Sequence, residues 1–558
     1  MFKASKNEHQ LDIFSSTSSL LIESSLDLYN NPLAWHNLFR KELLMRIDES
    51  VFSDLFSKKM GAPNASIRIL VSMMALKEAF GWSDSQLFEQ GRFNLLVRSA
   101  LGVFNINESL PAESTYYLLR KRIHEYQKAT NIDLMEKAFV SVTSSQAKQF
   151  EVNGRSIRMD SKLIGSNIAW SSRYEIIHLT MSLFYKSLSD IARFRLTSED
   201  KDLLTSLSNE DGVKVTYRST GEEIHSKLKL LGTTIYRLVS MFNSQDSEYY
   251  QTLSRVYQEQ YQQVDINQIE LREKEEIKAD SVQSPHDTDC TYRNKDGQKV
   301  KGYSVNITET CDDGSLNLIT NIQVAPANTP DNDYVCPATK QTTEVLGTTP
   351  SIIHADGAYN SQENIEFCKA ENIELCLNGI QGLKGQYDLN LTPDGLAVTD
   401  TKTGQTQIAK VGKKGNWSIK TENGYRYFTK QQIETCATRK EIETMPYEKR
   451  NKRNNVEASI FQLCYHSRNN KTRYRNIIKT KSWALLRCLW INLVRIKNYI
   501  GQICQRTNKL CQNHVQNSFF TTKNDFMNIF EQLFKIFLNP HQLFGFIQNN
   551  WRSKFITF

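Results

Sequence analysis

The sequence contains no apolar run long enough to cross a bilayer. A membrane-spanning helix needs about 20 consecutive apolar residues, and the best candidate, ALLRCLWINLVRI from Ala484, is interrupted by Arg487 and Arg495. The first residues, MFKASKNEHQ, lack the basic, apolar and small-residue regions of a signal peptide. These absences predict an intracellular protein that does not enter a membrane.

Cysteine is absent from the first half of the chain. All ten cysteines lie between Cys290 and Cys511, at irregular spacings and without a CxxC pair. This pattern matches neither a zinc site nor a disulfide framework. We therefore expect reduced thiols.

Length and charge narrow the class of protein. With 558 residues, 39% of them apolar, the chain is long enough for two to four domains with cores of their own. The net charge is +8, but residues 449–481 alone contain ten Lys or Arg and one acid. A cluster of this kind predicts a polyanionic partner such as nucleic acid.

The first 145 or so residues have helical periodicity. Segments Ser66 to Phe80 and Ser114 to Lys128 carry apolar residues at helical spacing, and Gly81 separates the first from a restart at Ser83 or Asp84. In the second segment the basic residues Arg120, Lys121 and Arg122 are expected on the exposed side. Two interpretations remain open: a bundle with a solvated basic face, or a bundle that binds DNA ends.

From Phe150 onwards, strand signals alternate with helical ones. Asn153-Gly154 indicates a hairpin, followed by a strand that ends in Asp160. Helical periodicity returns over about 174–280, and a second hairpin is predicted around Asp313-Gly314. The apolar run before Asp356 predicts a strand buried on both faces, as in the centre of a parallel sheet.

The remaining segments complete a mixed α/β pattern. A short strand is predicted over Asn372 to Gly379, and turn signals between about 386 and 428 indicate a small β insertion. A helix is expected from Arg453 to Arg468, with Glu457 as the single acid of the basic cluster.

Three carboxylates stand out because of their positions in this order of elements. Asp160 and Asp356 are placed at the ends of strands, where open α/β sheets put their chemistry, and Glu457 lies on a helix. Taken singly, each is an ordinary strand-end, capping or solvated acid. Together they can converge on hard divalent cations, and two Mg²⁺ ions can clamp the attacking and leaving oxygens of a phosphoryl transfer.

Several blocks of sequence then resemble a known family. RMDSKLIGSNIAWSSRYE, SPHDTDCTYRNKDGQKVKGYS, VAPANTPD, HADGAY, RNNVEASIFQLC and KTRYRNIIKT are similar to successive blocks of bacterial insertion-sequence transposases of the DDE superfamily. The segment from LFRKELLMRIDESVFSDLF through STYYLLRKR resembles the N-terminal domain of the same group. The resemblance spans about residues 38–500.

The resemblance implies a fold and a division into domains. It predicts an α/β, mixed fold with an RNase H-like catalytic core, preceded by an all-α N-terminal domain. The expected boundaries are 1–145 for the helical, end-binding domain, 146–500 for the catalytic domain with its helical and β insertions, and 501–558 for a C-terminal tail.

The resemblance also implies a reaction and its partners. Asp160, Asp356 and Glu457 would be the metal-binding triad of a magnesium-dependent transposase, with two ions and Mn²⁺ as a substitute. Such enzymes hydrolyse a phosphodiester at the transposon end, and the freed 3′ hydroxyl attacks target DNA. The expected partners are double-stranded DNA and further copies of the chain, in the bacterial cytoplasm.

The sequence departs from the family near Glu457. Relatives carry an arginine four residues before the glutamate, present here as Arg453, and a base seven residues after it, where this chain has Cys464. The tyrosine often found three residues before the arginine is replaced by Arg450. On an unbroken helix Arg468 would share a stripe with Glu457, so we expect Arg468 to take over the missing phosphate contact.

Other polar residues are candidates for DNA contacts or for structural roles. The basic residues expected to contact DNA, around Tyr474 as a stacking aromatic, are Arg453, Arg468, Lys471, Arg473, Arg475, Lys479 and Lys481. His354 is favoured as a core histidine. Asp287 and Asp289 either position DNA or shape a loop.

The C-terminal tail contains a predicted amphipathic helix. Apolar residues follow helical spacing from Phe526 to Leu538, with Asp525 as a cap and Asn539-Pro540 as the end. This stripe either packs on the catalytic domain or, as we hypothesise, contributes to self-association.

Two alternatives to an active transposase remain. One is a DNA-binding derivative of a transposase that no longer catalyses, favoured by the departures at Arg450 and Cys464 and opposed by the three retained carboxylates. The other is an RNase H-like nuclease that hydrolyses DNA without strand transfer.

Overall fold

The computed structural model describes residues 1–4, 17–57, 60–243, 247–265, 268–295, 297–380, 385–412, 416–421 and 424–516. Within these residues no helix combines the length and the apolar character needed to span a bilayer. The nine cysteines from Cys290 to Cys504 are free thiols. The amphipathic helix expected from Phe526 to Leu538 lies outside the described residues.

Helices occupy the chain up to the first strand, as the periodicity predicts. The third helix is capped by Ser66 and ends at Gly81, which has a positive φ of 69°. The next begins with a capping box formed by Ser83 and Gln86. The bounds are α1 Glu23–Asn30, α2 Trp35–Glu42, α3 Ile67–Phe80, α4 Asp84–Phe93, α5 Leu95–Ala100, α6 Glu113–Thr130 and α7 Leu134–Gln149.

The first strand, β1 (Ser156–Gly165), differs from the sequence prediction in two ways. No strand precedes it, because Asn153-Gly154 connects α7 to β1 instead of closing a hairpin. Gly154 has a φ of 64° and leaves no room for a side chain beside Leu346. The strand also continues five residues past Asp160, so this aspartate lies in its middle.

A group of helices and a hairpin follow β1. They enclose a hydrophobic core of their own, which includes Phe184, Ile235 and Val256. The predicted helical region is shorter than about 174–280, because the chain turns into the hairpin at Tyr261, whose buried ring packs on Gly232. The bounds are α8 Arg173–Ser187, α9 Asp190–Phe194, α10 Ser198–Asn209, α11 Gly212–Arg218, α12 Gly221–Met241, α13 Glu248–Gln260, β2 Tyr261–Asp265 and β3 Gln268–Leu271.

The central sheet combines antiparallel and parallel pairs. On one side of β1 lies an antiparallel strand, which itself pairs with two further antiparallel strands. On the other side lie two parallel strands, as expected for the apolar run before Asp356. The elements are β4 Thr291–Lys295, β5 Gln298–Thr310, β6 Ile319–Pro326, α14 Val335–Leu346, β7 Ile352–Ala355, α15 Gln362–Ala370 and β8 Glu374–Leu377, and the order along the sheet is β4 and β6, then β5, β1, β7 and β8.

The strands predicted between about 386 and 428 form a separate antiparallel sheet. Its apolar residues, including Leu396 and Phe428, make a small core together with the helix that follows. The bounds are β9 Tyr387–Thr392, β10 Gly395–Asp400, β11 Thr406–Val411, β12 Trp417–Thr421, β13 Gly424–Phe428, α16 Lys430–Thr444, α17 Tyr447–Asn451, α18 Val456–Cys464 and α19 Ile477–Gln516.

The helix predicted from Arg453 to Arg468 is wrong at both ends. Residues Lys452–Asn455 form a 3₁₀ turn, and α18 ends at Cys464. After that point the chain adds to the end of β1, because Gly165 N donates to Asn470 O at 2.7 Å and accepts at its carbonyl from Thr472 N at 2.9 Å. Arg468 therefore lies beyond the helix and not on its stripe.

One hydrophobic core joins the N-terminal helices to the central sheet. It contains Met73 and Phe139 from the helices, Ile164 and Ile307 from the sheet, and Leu489 from α19. The opposite face of the sheet packs on α14 and α15 in a second core. The face that holds the shared core is also the face covered by α18.

Candidate active site

Asp160 and Asp356 lie on neighbouring strands of the central sheet, β1 and β7. In the parallel pair formed by β1 and β7, Arg158 is opposite His354. Asp160 follows Arg158 by two residues, and Asp356 follows His354 by two residues. Asp356 directly follows the end of β7 at Ala355, whereas Asp160 lies within β1, which continues to Gly165. The end of β7 is the kind of strand end at which open α/β sheets bind ligands.

Asp160 is almost buried, with 9% of its surface exposed. Its Oδ1 accepts a hydrogen bond from the Ser161 N–H at 2.9 Å, and its Oδ2 accepts one from the Arg453 guanidinium at 2.8 Å. Burial raises the pKa of the Asp160 carboxyl, against the opposing effect of Arg453, and the nearby charge of Asp356 adds to the rise.

Asp356 caps a short 3₁₀ turn, Gly357–Tyr359. Its Oδ1 accepts from the Ala358 N–H at 2.7 Å, which fixes the carboxylate at the strand end. Gly357 is required here because a Cβ would lie 2.6 Å from the carbonyl oxygen of Gly379, just after β8. The tight contact between these two glycines holds the Asp356 turn against the neighbouring strand.

Glu457 reaches the same place from the first turn of α18. Its side chain is 64% exposed, and its Oε1 lies 3.6 Å from the Arg453 Nη2 that also contacts Asp160. The Arg453 side chain is 13% exposed. Burial lowers the pKa of the Arg453 guanidinium, but the charges of Asp160, Asp356 and Glu457 together raise it above its ordinary value.

The donor set suits a hard divalent cation, since carboxylate oxygens are the ligands that Mg²⁺ prefers. A cation already occupies the point of convergence, because Arg453 pairs with two of the three acids. Among the described residues, no three His, Cys, Asp or Glu side chains come close enough to hold a metal ion. The residue types therefore suit a hard metal ion, whereas the present arrangement pairs two of the three carboxylates with Arg453 instead.

A buried ion-pair network fixes α18 above the sheet. Glu309 of β5 is fully buried and accepts from Arg158 of β1 at 2.6 Å, from Ser459 of α18 at 2.5 Å and from Arg495 of α19 at 2.5 Å. Ser459 is two residues after Glu457, and Arg158 is two residues before Asp160. The network thus sets the distance between two of the candidate ligands.

Much of the basic cluster serves contacts within the chain. Arg473 pairs with Glu78 of α3 at 3.0 Å, and Lys481 pairs with Glu136 of α7 at 2.7 Å. Tyr474, expected as a stacking residue, donates its hydroxyl to Glu78. These bonds connect the start of α19 to the N-terminal helices.

Of the other predicted DNA-binding cations, two form hydrogen bonds within the chain and two are exposed without an ion pair in the described residues. Lys471 donates to the Ile168 carbonyl and Arg475 to the Asn167 carbonyl. Arg468 and Lys479 are exposed, and in the described part of the chain neither side chain has an ion pair. The predicted phosphate contacts remain predictions, with Arg468 and Lys479 the freest to make them.

His354 and Asp287 are both buried and hydrogen-bonded within the fold. His354 is buried, its Nε2 lies 3.1 Å from Ser156 Oγ, and burial lowers its pKa to about 4, as expected for a core histidine. Asp287 is buried and accepts from Tyr303 and Ser166. Between the two interpretations of Asp287, these bonds favour the shaping of a loop.

Sequence reasoning missed Lys162 and the aromatic residues of α18. Lys162 follows Asp160 by two residues on the same face of β1, and alternation along the strand could have identified it. Phe461 and Tyr465 are each 67% exposed, although their spacing alone would be equally compatible with a buried face. Only the packing of α18 reveals which side is open.

Comparison with known proteins gives two family matches. Residues 32–122 match the family described as transposase domain (DUF772), and residues 277–493 match the transposase DDE domain. The second match includes Asp356 and Glu457, whereas Asp160 lies before it. A search of curated proteins finds no match.

Among solved structures, the chain has a weak similarity to a piggyBac transposase synaptic complex with hairpin DNA. The sequence identity is 8% and the TM-score is 0.29, over 93% of this chain and 84% of the other.

Proposed function

We propose that this chain, which its two family domains identify as an insertion-sequence transposase of the DDE superfamily, cleaves the ends of its element and joins the freed 3′ hydroxyl to target DNA. The observation that carries the proposal is the placement of Asp160 and Asp356 at equivalent positions of two parallel strands, with Glu457 above them. Retention of all three carboxylates, two of them paired with the same arginine, argues for catalysis.

The proposed catalytic domain is RNase H-like and covers about residues 146–500. Its support is the order of the central sheet, in which antiparallel strands lie on one side of β1 and two parallel strands on the other. The helices between β1 and β2 and the sheet of β9 to β13 are insertions into this domain. Residues 1–145 form the proposed end-binding domain, and 501–558 the tail.

In the proposed reaction the chain supplies ligands and orientation. Mg²⁺ or Mn²⁺, bound by Asp160, Asp356 and Glu457, would supply Lewis-acid stabilisation of the attacking and leaving oxygens. The Ser161 N–H holds Asp160 within β1, the Ala358 N–H holds Asp356 just after β7, and Glu457 closes the open side from α18. Arg453 pairs with Asp160 and Glu457 in the structure, and on release from these acids its guanidinium would be available to a phosphate.

The proposed partners are the inverted ends of the element, target DNA and a second copy of the chain. The exposed cations Arg468 and Lys479 and the local charge of residues 449–481 support DNA binding. Joining two ends in one reaction requires at least two protomers, which is why we propose a homo-oligomer on DNA.

The proposal is tested with DNA that carries the sequences flanking the coding region. Asp160→Asn, Asp356→Asn and Glu457→Gln should each abolish Mg²⁺-dependent end cleavage while DNA binding persists, because each removes a ligand and no phosphate contact. The exposed Glu371→Gln is the matched control and should cleave normally. Wild-type cleavage by any of the three variants would overturn the triad.

A second assay separates a transposase from a nuclease. Pre-cleaved ends with a free 3′ hydroxyl are incubated with a circular target plasmid in Mg²⁺. A transposase produces joined products, whereas cleavage of intact ends without any joining identifies a nuclease. If the protein binds DNA but neither cleaves the ends nor joins them to the plasmid, it is an inactive derivative.

A further inference from the structure

Two aromatic rings project from the exposed side of α18, close to Glu457. Phe461 and Tyr465 are each 67% exposed and contact one another, with ring centroids 6.1 Å apart and planes at 71°. The residues that α18 buries are Val456, Ser459, Ile460 and Leu463. The two rings therefore take no part in the core and are available to a partner.

Helix geometry puts both rings beside Glu457. Tyr465 directly follows α18 and keeps helical backbone angles, with φ −52° and ψ −36°. At about 100° per residue, Phe461 lies about 40° and Tyr465 about 80° around the axis from Glu457, and at 1.5 Å per residue they lie about 6 Å and 12 Å along it. The three side chains thus form a row that starts at the candidate catalytic acid.

An unpaired lysine lies on the other side of this row. Lys162 is half-buried and lies on the face of β1 that α18 covers, because it is two residues from both Asp160 and the core residue Ile164. Burial raises the pKa of the Cys464 thiol and the charge of Lys162 opposes this rise, in agreement with a position of the lysine beside α18. In the described part of the chain Lys162 has no hydrogen bond or ion pair. Cys464 is about 20° from Glu457 in the direction opposite to the rings, which places the cation and the aromatics on either side of Glu457.

We propose that this surface, formed by Lys162, Phe461 and Tyr465, binds a DNA strand whose bases are unpaired next to the cleavage site. The bases stack on the two rings, and a phosphate contacts Lys162. The inference deepens the proposed function, on which it rests, by adding a separation of the strands at the element end.

The chemistry of the surface favours a nucleic acid strand over a protein. Exposed aromatics with cations nearby are how proteins bind single strands without sequence preference. The nearest exposed cation beyond Tyr465 is Arg468, and Glu457 is the single acid among residues 449–481. A protein helix or a second copy would gain little from a row bordered by unpaired cations.

The spacing of the rings indicates unpaired bases. Along the axis they are about 6 Å apart, whereas stacked bases of a duplex rise about 3.4 Å per nucleotide. Both faces of a paired base inside a duplex are also covered by its neighbours. Two successive bases can reach both rings only after they leave their partners and separate from one another.

The test measures binding of the full-length protein without divalent cations, so that cleavage does not interfere. One probe is a fully paired element end, and the other has three unpaired terminal nucleotides, with 2-aminopurine among them. Phe461→Ala and Tyr465→Ala should each weaken binding of the unpaired probe about tenfold and reduce the quenching of 2-aminopurine. Binding of the paired probe should change little.

Matched variants separate stacking from folding. Tyr465→Phe keeps the ring and should bind as wild type, and so should Tyr217→Ala, which removes a ring that is 92% exposed on α11. Lys162→Ala should reduce the salt dependence of binding by about one phosphate contact, and Lys162→Arg should restore it. Unchanged unfolding midpoints confirm that these exposed changes leave the fold intact.

The outcomes distinguish this inference from the proposed function. Wild-type binding of the unpaired probe by both alanine variants would overturn the stacking surface. So would a loss of self-association by these variants without DNA, because the row would then be an interface between copies. If the triad variants still cleave while the aromatic variants lose the unpaired probe, the proposed triad fails and the stacking surface stands.

Discussion

Arg453 bridges two of the candidate metal ligands, with its Nη2 2.8 Å from Asp160 Oδ2 and 3.6 Å from Glu457 Oε1. A guanidinium at this point has the sign of charge that a metal ion would bring. Its positive charge offsets the repulsion between the neighbouring carboxylates in the absence of a metal ion. The same contact makes the arginine a competitor of the metal.

We therefore expect Arg453→Gln to bind Mn²⁺ more tightly than the wild type when DNA is absent. Two unit charges about 4 Å apart interact by about 1 to 4 kcal/mol between water and the protein surface, so the affinity should rise at least fivefold. Free Mn²⁺ measured by electron paramagnetic resonance reports this directly. Arg450→Gln removes a nearby charge outside the ion pair and is the control. Equal affinities for the two variants would contradict competition.

Two arginines of the basic cluster should respond differently to alanine substitution. Arg468→Ala should weaken binding to element ends and reduce its salt dependence by about one phosphate contact, because Arg468 is exposed and without an ion pair in the described residues. Arg473→Ala should leave the salt dependence unchanged and lower stability by about 1 to 3 kcal/mol, because it breaks bonds to Glu78, Gly81 and Trp82. DNA titrations at several salt concentrations and thermal unfolding measure the two effects. The same salt slope for both variants would contradict the assignment.

Loss of the Glu309 carboxylate should be severe. Glu309→Gln leaves Arg158 and Arg495 without their buried partner, which we expect to cost about 3 to 5 kcal/mol of stability. The change should also reduce cleavage, since the network positions α18. Glu371→Gln, at an exposed site, is the control for thermal unfolding. A midpoint equal to that of the control would show that the network contributes nothing.

The contribution of Glu309 to the free energy of unfolding should also depend on pH. Burial acts to raise the pKa of this carboxyl, but Arg495 and Arg158 together hold it below its ordinary value. A lowered folded-state pKa means that the stabilisation is present above the unfolded pKa of about 4.3 and is lost as the pH falls through the folded value. Unfolding midpoints between about pH 7 and pH 3 should therefore show the gap between wild type and Glu309→Gln narrowing at the acid end. A gap that is constant with pH would contradict the ion pairs.

Gly357→Ala should disturb the position of Asp356. The added Cβ would lie 2.6 Å from the Gly379 carbonyl, so either the capping turn or the end of β8 must move. A displacement of about 1 Å in a catalytic group can cost on the order of 100-fold in rate. Gly221→Ala is the control for cleavage, because nothing lies within 4 Å of a Cβ at that position and its φ is not positive. Cleavage by Gly357→Ala at the wild-type rate would show that the turn tolerates the change.

The sequence alone determined the elements that local chemistry specifies. Ser66 and Gly81 mark the ends of α3, Asp313-Gly314 closes the hairpin of β5 and β6, and the apolar run before Asp356 forms the strand between β1 and β8. In each case the signal is a cap, a turn residue or a period that acts over a few residues. The choice of Asp160, Asp356 and Glu457 came from the same local order together with family resemblance.

Contacts between distant residues decided the rest. The hairpin predicted at Asn153-Gly154 became a link between helix and strand, because the preceding residues pack in the core shared with the N-terminal helices. The end of α18 at Cys464 follows from the backbone bonds of Gly165 with the segment after it.

The environment of the site also depended on tertiary structure. The ion pair of Arg453 with Asp160 and the contacts of Glu309 join residues more than 140 positions apart in the sequence. The open side of α18 depends on which face of the helix the sheet covers. No pattern of neighbouring residues specifies such contacts, since burial and charge pairing arise only when the sheet, α18 and α19 pack together.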